Sequence, residues 1–237
     1  MKHTYVLNLP ISAEGKKNTL AVLRTFLCQD KNHLVFTPNP EIALRAYGNK
    51  TFFNVLKKAD LLVPDGIGIV FASLLNKIKL KERVTGIDLV DSLFNSENIT
   101  VYLLGSKEEN VKKAAENLEL RYGNVKIAGY HHGYFDKQSE AVILEHIKQS
   151  KPQLLLVGLG SPKQEMWIYK NRDLPVKITM GIGGAIDVWA GAVKRAPRIF
   201  IKLHLEWLYR LLAEPKRIWR ARALPMFVFT VILEKIK

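Results

Sequence analysis

The sequence predicts an α/β fold built on a doubly wound, mostly parallel sheet. Short apolar runs typical of buried strands alternate about six times with helical segments before Gly191, which is the pattern of repeated βα units. The run at residues 153–158 is almost wholly apolar, as expected for a strand covered on both faces. After Gly191 only helical segments follow. We therefore predict a Rossmann-like α/β domain at residues 1–193 and a basic, amphipathic helical appendage at residues 194–237.

The first half of the chain contains three predicted strands joined by helices. An opening strand at residues 4–11 precedes a helix at 18–29, where Leu20, Leu23 and Phe26 share one face. The other strands of this half are predicted at 33–36 and 61–63, and the other helices at 41–47, 52–59, 67–75 and 86–95.

In the second half, strands and helices continue to alternate. The predicted strands cover 99–104, 125–129, 153–158 and 177–181, and helices cover 108–122 and 140–149. A further helix is predicted to open with Ser161 as its N-cap and Pro162 at its first position. In the appendage, we predict one long amphipathic helix at 198–213 and more helix at 217–222 and 223–233.

Composition excludes several classes of protein. A chain of 237 residues with 48% hydrophobic content is long enough and apolar enough to fold as a globular protein. The single cysteine, Cys28, excludes an internal disulfide and a Cys-rich metal site. The most apolar stretch, at 223–233, is broken by Pro225 and is shorter than the roughly 20 residues that span a bilayer. We expect neither a signal peptide nor a transmembrane helix.

Positive charge is concentrated in the appendage. Of the net charge of +14, residues 194–237 contribute +8, from eleven Lys or Arg against three acids. Such an excess indicates a phosphate-bearing partner, which is a nucleic acid, a lipid surface or a phosphorylated substrate. Aromatic residues such as Trp207 and Trp219 alternate with arginines in apolar helical runs, which favours a membrane interface over nucleic acid. The alternative is a helical hairpin that closes an ordinary core.

Candidate site residues follow the predicted strands. Asp65 lies in a Pro-Asp-Gly turn after the strand at 61–63, and Thr37 and Asn39 follow the strand at 33–36. Gln164 lies at the helix start that follows the strand at 153–158. Because open parallel sheets bind ligands at the carboxyl ends of their strands, these side chains are expected to meet at one crevice.

Each candidate also has a simpler explanation. Aspartate is common in turns and at helix caps, which would account for Asp65. Gln164 is placed to support Ser161 as the N-cap of the helix that follows. Arg83 lies on a basic loop and can be read as a surface charge.

Other reaction classes lack their motifs. The glycine-containing turns at Gly66, Gly105 and Gly158 do not complete a dinucleotide fingerprint, and no Walker A or Gly-x-Ser-x-Gly sequence is present. The six histidines do not pair into a zinc site. An oxidoreductase, a P-loop enzyme and a serine hydrolase therefore gain little support.

Six short blocks of sequence are informative when they are taken together. They are Thr37-Pro38-Asn39, Val63-Pro64-Asp65-Gly66-Ile67-Gly68, Glu82-Arg83-Val84-Thr85-Gly86, Tyr102-Leu103-Leu104-Gly105, Gly158-Leu159-Gly160-Ser161-Pro162-Lys163-Gln164-Glu165 and Gly181-Ile182-Gly183-Gly184. In order and spacing they resemble the WecG/TagA/CpsF glycosyltransferases, from about residue 5 to the C-terminus. The tail segments 205–210 and 214–220 are similar to the TagA branch in particular.

The resemblance implies a role for each candidate residue. Asp65 matches the general base, and Thr37 matches its neighbour at the catalytic centre. Asn39, Arg83 and Gln164 match positions in the substrate pocket.

The resemblance also covers the appendage. Arg210, Arg217 and Arg220 match tail arginines that close over the diphosphate of UDP when the tail meets the membrane. Members of the family are inverting and metal-independent, and this chain has no Asp-x-Asp pair to hold a divalent ion. No metal and no other cofactor is expected.

The implied reaction moves N-acetylmannosamine from UDP to undecaprenyl-diphosphate-linked N-acetylglucosamine, forming the linkage unit of wall teichoic acid. The alternatives are another UDP-sugar donor, either N-acetylmannosamine uronic acid or glucose, and, more distantly, a basic nucleic-acid-binding protein. The expected partners are the UDP-sugar, the lipid-linked acceptor and an anionic membrane surface, without nucleic acid. The expected location is cytoplasmic, peripheral on the inner face of the bacterial cell membrane. A monomer and a homo-oligomer both agree with the sequence.

Overall fold

A computed structural model describes residues 1–203, 205–213 and 222–236. Its strands are β1 (His3–Val6), β2 (Leu9–Ser12), β3 (His33–Phe36), β4 (Leu61–Leu62), β5 (Ile99–Gly105), β6 (Val125–His131), β7 (Leu154–Gly158) and β8 (Ile178–Gly181). Its helices are α1 (Lys16–Leu27), α2 (Pro40–Tyr47), α3 (Lys50–Lys57), α4 (Ile67–Ser73), α5 (Gly86–Phe94), α6 (Glu108–Arg121), α7 (Lys137–Ser150), α8 (Lys163–Lys170), α9 (Ala185–Trp189), α10 (Arg198–Lys202), α11 (Glu206–Ala213) and α12 (Ala223–Ile236).

Six strands form one parallel sheet in the order β4-β3-β8-β7-β5-β6. The chain moves outward from β3 to β4 on one side, and from β5 to β6 on the other, before it returns through β7 to β8. The predicted doubly wound α/β fold is confirmed. β5 and β7 are neighbours, but the chain passes from β5 to β6 on one side and from β7 to β8 on the other. The crevice between the carboxyl ends of β5 and β7 is therefore a topological switch point.

Helices cover both faces of the sheet because alternate strand residues point in opposite directions. In β7, Leu155 and Val157 pack in one core cluster with α2, α3 and α8, whereas Leu154 and Leu156 pack in the other with α1, α5 and α6. This two-sided burial explains why the predicted strand was apolar at nearly every position.

The single opening strand predicted at residues 4–11 is wrong, because this segment forms the antiparallel hairpin β1–β2. Leu7 and Asn8 adopt positive φ angles of 47° and 63°, as a two-residue type I′ turn requires. Leu7 is also buried, so the apolar run continues through the turn and conceals it.

Two predicted helices also begin or end elsewhere. Ser161 does not cap α8: the helix begins at Lys163, with Pro162 in the cap position and no side-chain cap. The long helix predicted at 198–213 is two helices, α10 and α11, separated at Leu203. The second of these begins at Glu206, whose carboxylate is held by a side chain of the α/β body described below. The helix predicted at 217–222 lies almost wholly outside the described residues.

The final helix, α12, packs against α2 and α4. Its Phe227 and Val231 side chains are buried in the core cluster that also contains α2 and α3, while Met226 and Phe229 are 59% and 64% exposed. The Tyr47 hydroxyl donates a hydrogen bond to the Glu234 carboxylate and holds the far end of the helix. This part of the appendage therefore completes the core with one face and exposes apolar residues on the other.

Across the three ranges that the structure describes, no helix combines the length and hydrophobicity needed to cross a bilayer.

Candidate active site

The loops that leave β3, β4 and β8 meet at the carboxyl edge of the sheet. Asp65 follows β4, and its backbone N–H donates to the Pro38 carbonyl at 3.1 Å. Thr37 follows β3, is 9% exposed, and its hydroxyl donates to the Gly181 carbonyl at 3.3 Å. Because β3 lies between β4 and β8, these bonds fix Asp65 and Thr37 in one neighbourhood.

Asn39 lies against the same turn. Its side-chain Oδ1 accepts from the Ile42 N–H at 2.9 Å and caps α2. Gly66 has a φ of 93°, and a Cβ placed on it would lie 3.1 Å from Pro40 Cδ and 3.5 Å from Asn39 Cβ. Glycine is needed here both for its backbone conformation and for this close approach, which brings Asn39 beside the residue that follows Asp65.

Gln164 reaches the site from α8. Its side-chain Oε1 accepts from the Gly183 N–H at 3.1 Å, and its Nε2 donates to Glu165 Oε1 at 2.7 Å. Gln164 is 3% exposed and packs so closely on Gly181 that a Cβ there would lie 2.9 Å from its Nε2. The structure therefore brings Gln164 to the loop that also receives the Thr37 hydroxyl. The alternative in which Gln164 supports a Ser161 cap is excluded, because that cap does not form.

The carboxyl group beside Gln164 is buried. Glu165 is 1% exposed, and burial raises its pKa above the ordinary value of 4.5 although the Gln164 hydrogen bond opposes the shift. As pH rises past 4.5, the Glu165 carboxyl therefore loses its proton in the unfolded chain at a lower pH than in the folded chain.

A Glu165→Gln variant tests this burial. The contribution of Glu165 to the stability of the native protein should fall as pH rises from 4.5 through its folded-state pKa, because the folded state binds this proton more tightly there. Glutamine keeps the acceptor for Gln164 but cannot ionise, so the melting temperature of the variant relative to the native protein should rise over that interval. Thermal melts from about pH 4.5 to neutral pH measure this difference. A difference that stays constant would contradict the buried, proton-retaining carboxyl.

Arg83 lies beside the site, and its guanidinium forms an ion pair with Glu206. The N–H of the next residue, Val84, donates to the Pro64 carbonyl at 3.0 Å, which places Arg83 near Asp65. Its Nη2 donates to Glu206 Oε2 at 3.0 Å, and the two side chains are 9% and 10% exposed. The reading of Arg83 as a surface charge is therefore wrong. The pair joins the loop after Asp65 to α11 of the appendage.

Of the three predicted tail arginines, one lies within the described residues. Arg210 belongs to α11, but its side chain is not described, and Arg217 and Arg220 lie outside the described residues.

A second group of polar residues lies at the switch point between β5 and β7. Gly105 has a φ of 143°, and a Cβ on it would lie 2.4 Å from the Gly158 carbonyl oxygen. Beside this contact, the Ser106 hydroxyl and the Asn110 amide both donate to Asp187 Oδ1, the latter at 2.8 Å. The crevice thus combines closely packed backbone with a carboxylate in a fixed position.

The two groups are parts of one edge. A Cβ on Gly158 would lie 2.7 Å from the Gly183 carbonyl oxygen, and Gly183 also donates its N–H to Gln164. A ligand that extends from the switch point toward Asp65 would follow this line of glycine backbone. Among the residues that are described, no group of three or more acidic, histidine or cysteine side chains is arranged to hold a metal ion.

Comparison with known proteins assigns the family. The sequence pattern of the Glycosyl transferase WecG/TagA/CpsF family matches residues 4–237. The chain belongs to this family. It is 39% identical over 221 residues to the N-acetylglucosaminyldiphosphoundecaprenol N-acetyl-beta-D-mannosaminyltransferase of Staphylococcus aureus (strain NCTC 8325 / PS 47), which covers 91% of this chain and 86% of the relative. A protein of the same name from Bacillus spizizenii (strain ATCC 23059 / NRRL B-14472 / W23) is 39% identical over 212 residues, which covers 88% of this chain and 82% of the relative.

The structure itself groups Thr37, Asn39, Asp65 and Gln164 at one sheet edge. Sequence reasoning did not single out Asp187 or Glu206. Asp187 carried a usable signal, because it closely follows the Gly181-Ile182-Gly183-Gly184 block. Glu206 carried none, since its partner Arg83 lies 123 residues away.

Proposed function

We propose that this protein transfers N-acetylmannosamine from UDP-N-acetylmannosamine to undecaprenyl-diphosphate-linked N-acetylglucosamine, with inversion, in wall teichoic acid linkage-unit synthesis. The observation that carries the proposal is the convergence of Thr37, Asn39 and Asp65 on one edge of a chain that is 39% identical to transferases of that name.

In this proposal Asp65 is the catalytic base. As the acceptor hydroxyl attacks the anomeric carbon, Asp65 takes its proton, and the bond to the UDP oxygen breaks on the opposite face of the sugar. Such assistance is typically worth about 100- to 10,000-fold in rate. Thr37 lies beside Asp65 at the catalytic centre, and Asn39 and Gln164 are pocket residues that orient the sugar.

The departing UDP carries the negative charge that develops in the reaction. Its nucleotide is proposed to occupy the switch point between β5 and β7, where doubly wound sheets bind nucleotides, with Asp187 accepting from ribose hydroxyls. Fixed cationic groups stabilise a diphosphate leaving group most effectively when they are held in place before the reaction. Arg210, Arg217 and Arg220 are proposed to supply this charge without a metal ion or other cofactor, and Arg83 is proposed as a further residue of the substrate pocket.

The acceptor is attached to a membrane lipid, so the protein is proposed to work as a peripheral protein on the cytoplasmic face of the bacterial membrane. The +8 charge of residues 194–237 and the exposed apolar face of α12 support contact with an anionic surface. The alternative function keeps the same acceptor but uses UDP-N-acetylmannosamine uronic acid or UDP-glucose as donor.

A donor panel tests the proposal. The protein is incubated with a lipid-diphosphate-linked N-acetylglucosamine and one UDP-sugar at a time, and both free UDP and the disaccharide lipid are measured. Both should accumulate with UDP-N-acetylmannosamine. Product from another UDP-sugar alone would replace this donor assignment with the alternative, and tight binding to generic duplex DNA without transfer would favour the nucleic-acid function.

An Asn39→Ala variant separates a binding role from a structural one. Asn39 caps α2 and Asn49 caps α3, each through a 2.9 Å bond from its Oδ1 to a backbone N–H, to Ile42 and Phe52 respectively. Loss of either cap should destabilise the protein by about 1 kcal/mol. Only Asn39→Ala should also raise KM or lower kcat in the transfer assay. Equal activities for Asn39→Ala and Asn49→Ala would show that Asn39 is only a cap.

A further inference from the structure

The segment between Asp65 and Arg83 leaves the carboxyl edge of the sheet and returns to it. It departs at Asp65, whose N–H is bonded to Pro38, and returns at Val84, whose N–H is bonded to the Pro64 carbonyl at 3.0 Å. Between these points the chain forms α4 and then a loop that ends at Lys81. Both ends of this excursion are therefore fixed beside the proposed catalytic base.

The excursion exposes a cluster of large apolar side chains. Phe71, Leu74, Leu75 and Ile78 are 60%, 50%, 53% and 43% exposed. Four such residues close together in sequence form a patch that a water-facing loop does not ordinarily present.

Hydrogen bonds hold the backbone in this arrangement. The Ser73 hydroxyl donates to the Val70 carbonyl at 2.6 Å and accepts from the Leu80 N–H at 2.9 Å, which closes the loop at its base. The Asn76 amide donates to the Tyr5 carbonyl at 2.7 Å and ties the tip of the loop to the hairpin β1–β2. The exposure is thus built into a braced loop.

The charge around the patch favours an anionic partner. Lys77, Lys79 and Lys81 alternate with the apolar residues, and no acidic residue occurs at 66–81. Tyr5, on the neighbouring hairpin, is 61% exposed. Apolar and aromatic groups mixed with lysines are the composition of surfaces that sit at the headgroup level of anionic bilayers.

The helix that carries part of the patch also packs against the appendage. A Cβ on Gly68 would lie 3.1 Å from Leu224 Cδ1, so α4 and α12 are in direct contact. Beyond that contact α12 exposes Met226 and Phe229. The exposed apolar side chains of α12 therefore belong to a helix that packs directly on α4.

We propose that Tyr5, Phe71, Leu74, Leu75 and Ile78, with Lys77, form a membrane-docking surface of the α/β body that enters an anionic lipid bilayer. This inference rests on the proposed function for its partner, the membrane that holds the acceptor. The surface begins one short helix after Asp65, and seven residues of α4 span only about 10 Å. Docking through it would bring the acceptor's N-acetylglucosamine, which the lipid diphosphate holds at the membrane surface, to the catalytic base.

Site-specific labelling tests the docking directly. Since Cys28 is the only cysteine, Cys28→Ser/Leu75→Cys carries one polarity-sensitive fluorophore at the surface. The matched control is Cys28→Ser/Leu120→Cys, because Leu120 is a leucine of α6 that is 86% exposed. On phosphatidylcholine–phosphatidylglycerol vesicles, the label at residue 75 should shift to shorter wavelength and be quenched by nitroxide lipids, whereas the label at 120 should do neither.

A label at residue 75 that stays in water when vesicles are added would overturn the inference. So would a shift that depends on protein concentration without lipid, which would assign the patch to a second copy of the chain. The vesicles contain no sugar donor or acceptor, so this outcome is independent of the transfer reaction. As a second measurement, Leu75→Glu/Ile78→Glu should weaken vesicle binding about tenfold or more, whereas Leu120→Glu should not change it.

Discussion

Replacing Asp65 with Asn is expected to lower kcat for sugar transfer about 100- to 10,000-fold, because asparagine keeps the shape of the side chain but cannot accept the acceptor's proton. The native turn should survive, since the bond from residue 65 to the Pro38 carbonyl uses the backbone N–H. Initial rates at saturating donor and acceptor measure kcat, and a thermal melt shows whether the variant is folded.

An aspartate at the opposite edge of the sheet supplies the control. Asp30 is fully exposed and pairs with Lys177, just before the amino ends of β3 and β8. Asp30→Asn makes the same chemical change far from the proposed site and should leave kcat unchanged. If Asp65→Asn were folded and as active as Asp30→Asn, Asp65 would not be the base.

Breaking the Arg83–Glu206 pair is expected to destabilise the protein by about 1–3 kcal/mol, because either single replacement by alanine leaves a largely buried charged group without this hydrogen-bond partner. The double variant Arg83→Ala/Glu206→Ala should recover part of that loss. Denaturant unfolding of the native protein, both single variants and the double variant measures the coupling. Arg24→Ala is the control, since the Arg24–Glu97 pair is 46% and 31% exposed and should contribute less than about 1 kcal/mol.

Activity of the same variants separates two roles of Arg83. If Arg83 also contacts the donor, Glu206→Ala should retain more transfer than Arg83→Ala under conditions in which both are folded. Equal losses would indicate that the pair acts only by holding α11 against the α/β body.

Local patterns were sufficient to predict the fold and most of the edge at which the candidate site lies. The apolar run at 153–158 and the prolines after β3 indicated where strands end. Because parallel sheets bind ligands at the carboxyl ends of their strands, Thr37, Asn39, Asp65 and Gln164 could then be assigned to one edge. Periodicity could not detect the turn at Leu7 and Asn8, because Leu7 is buried and continues the apolar run. A pattern of local spacing also could not find the Arg83–Glu206 pair, which depends on how the appendage folds back onto the body.

The anomeric configuration of the product tests the central proposal most directly. UDP-N-acetylmannosamine carries an α-linked sugar, and a single displacement assisted by Asp65 must deliver it as a β-linkage. We predict that the native protein, with a metal chelator present, forms only the β-linked disaccharide on the lipid diphosphate, as measured by the one-bond carbon–hydrogen coupling at the anomeric centre in NMR. An α-linked product, or no transfer from this donor to the lipid-linked acceptor, would contradict the proposal.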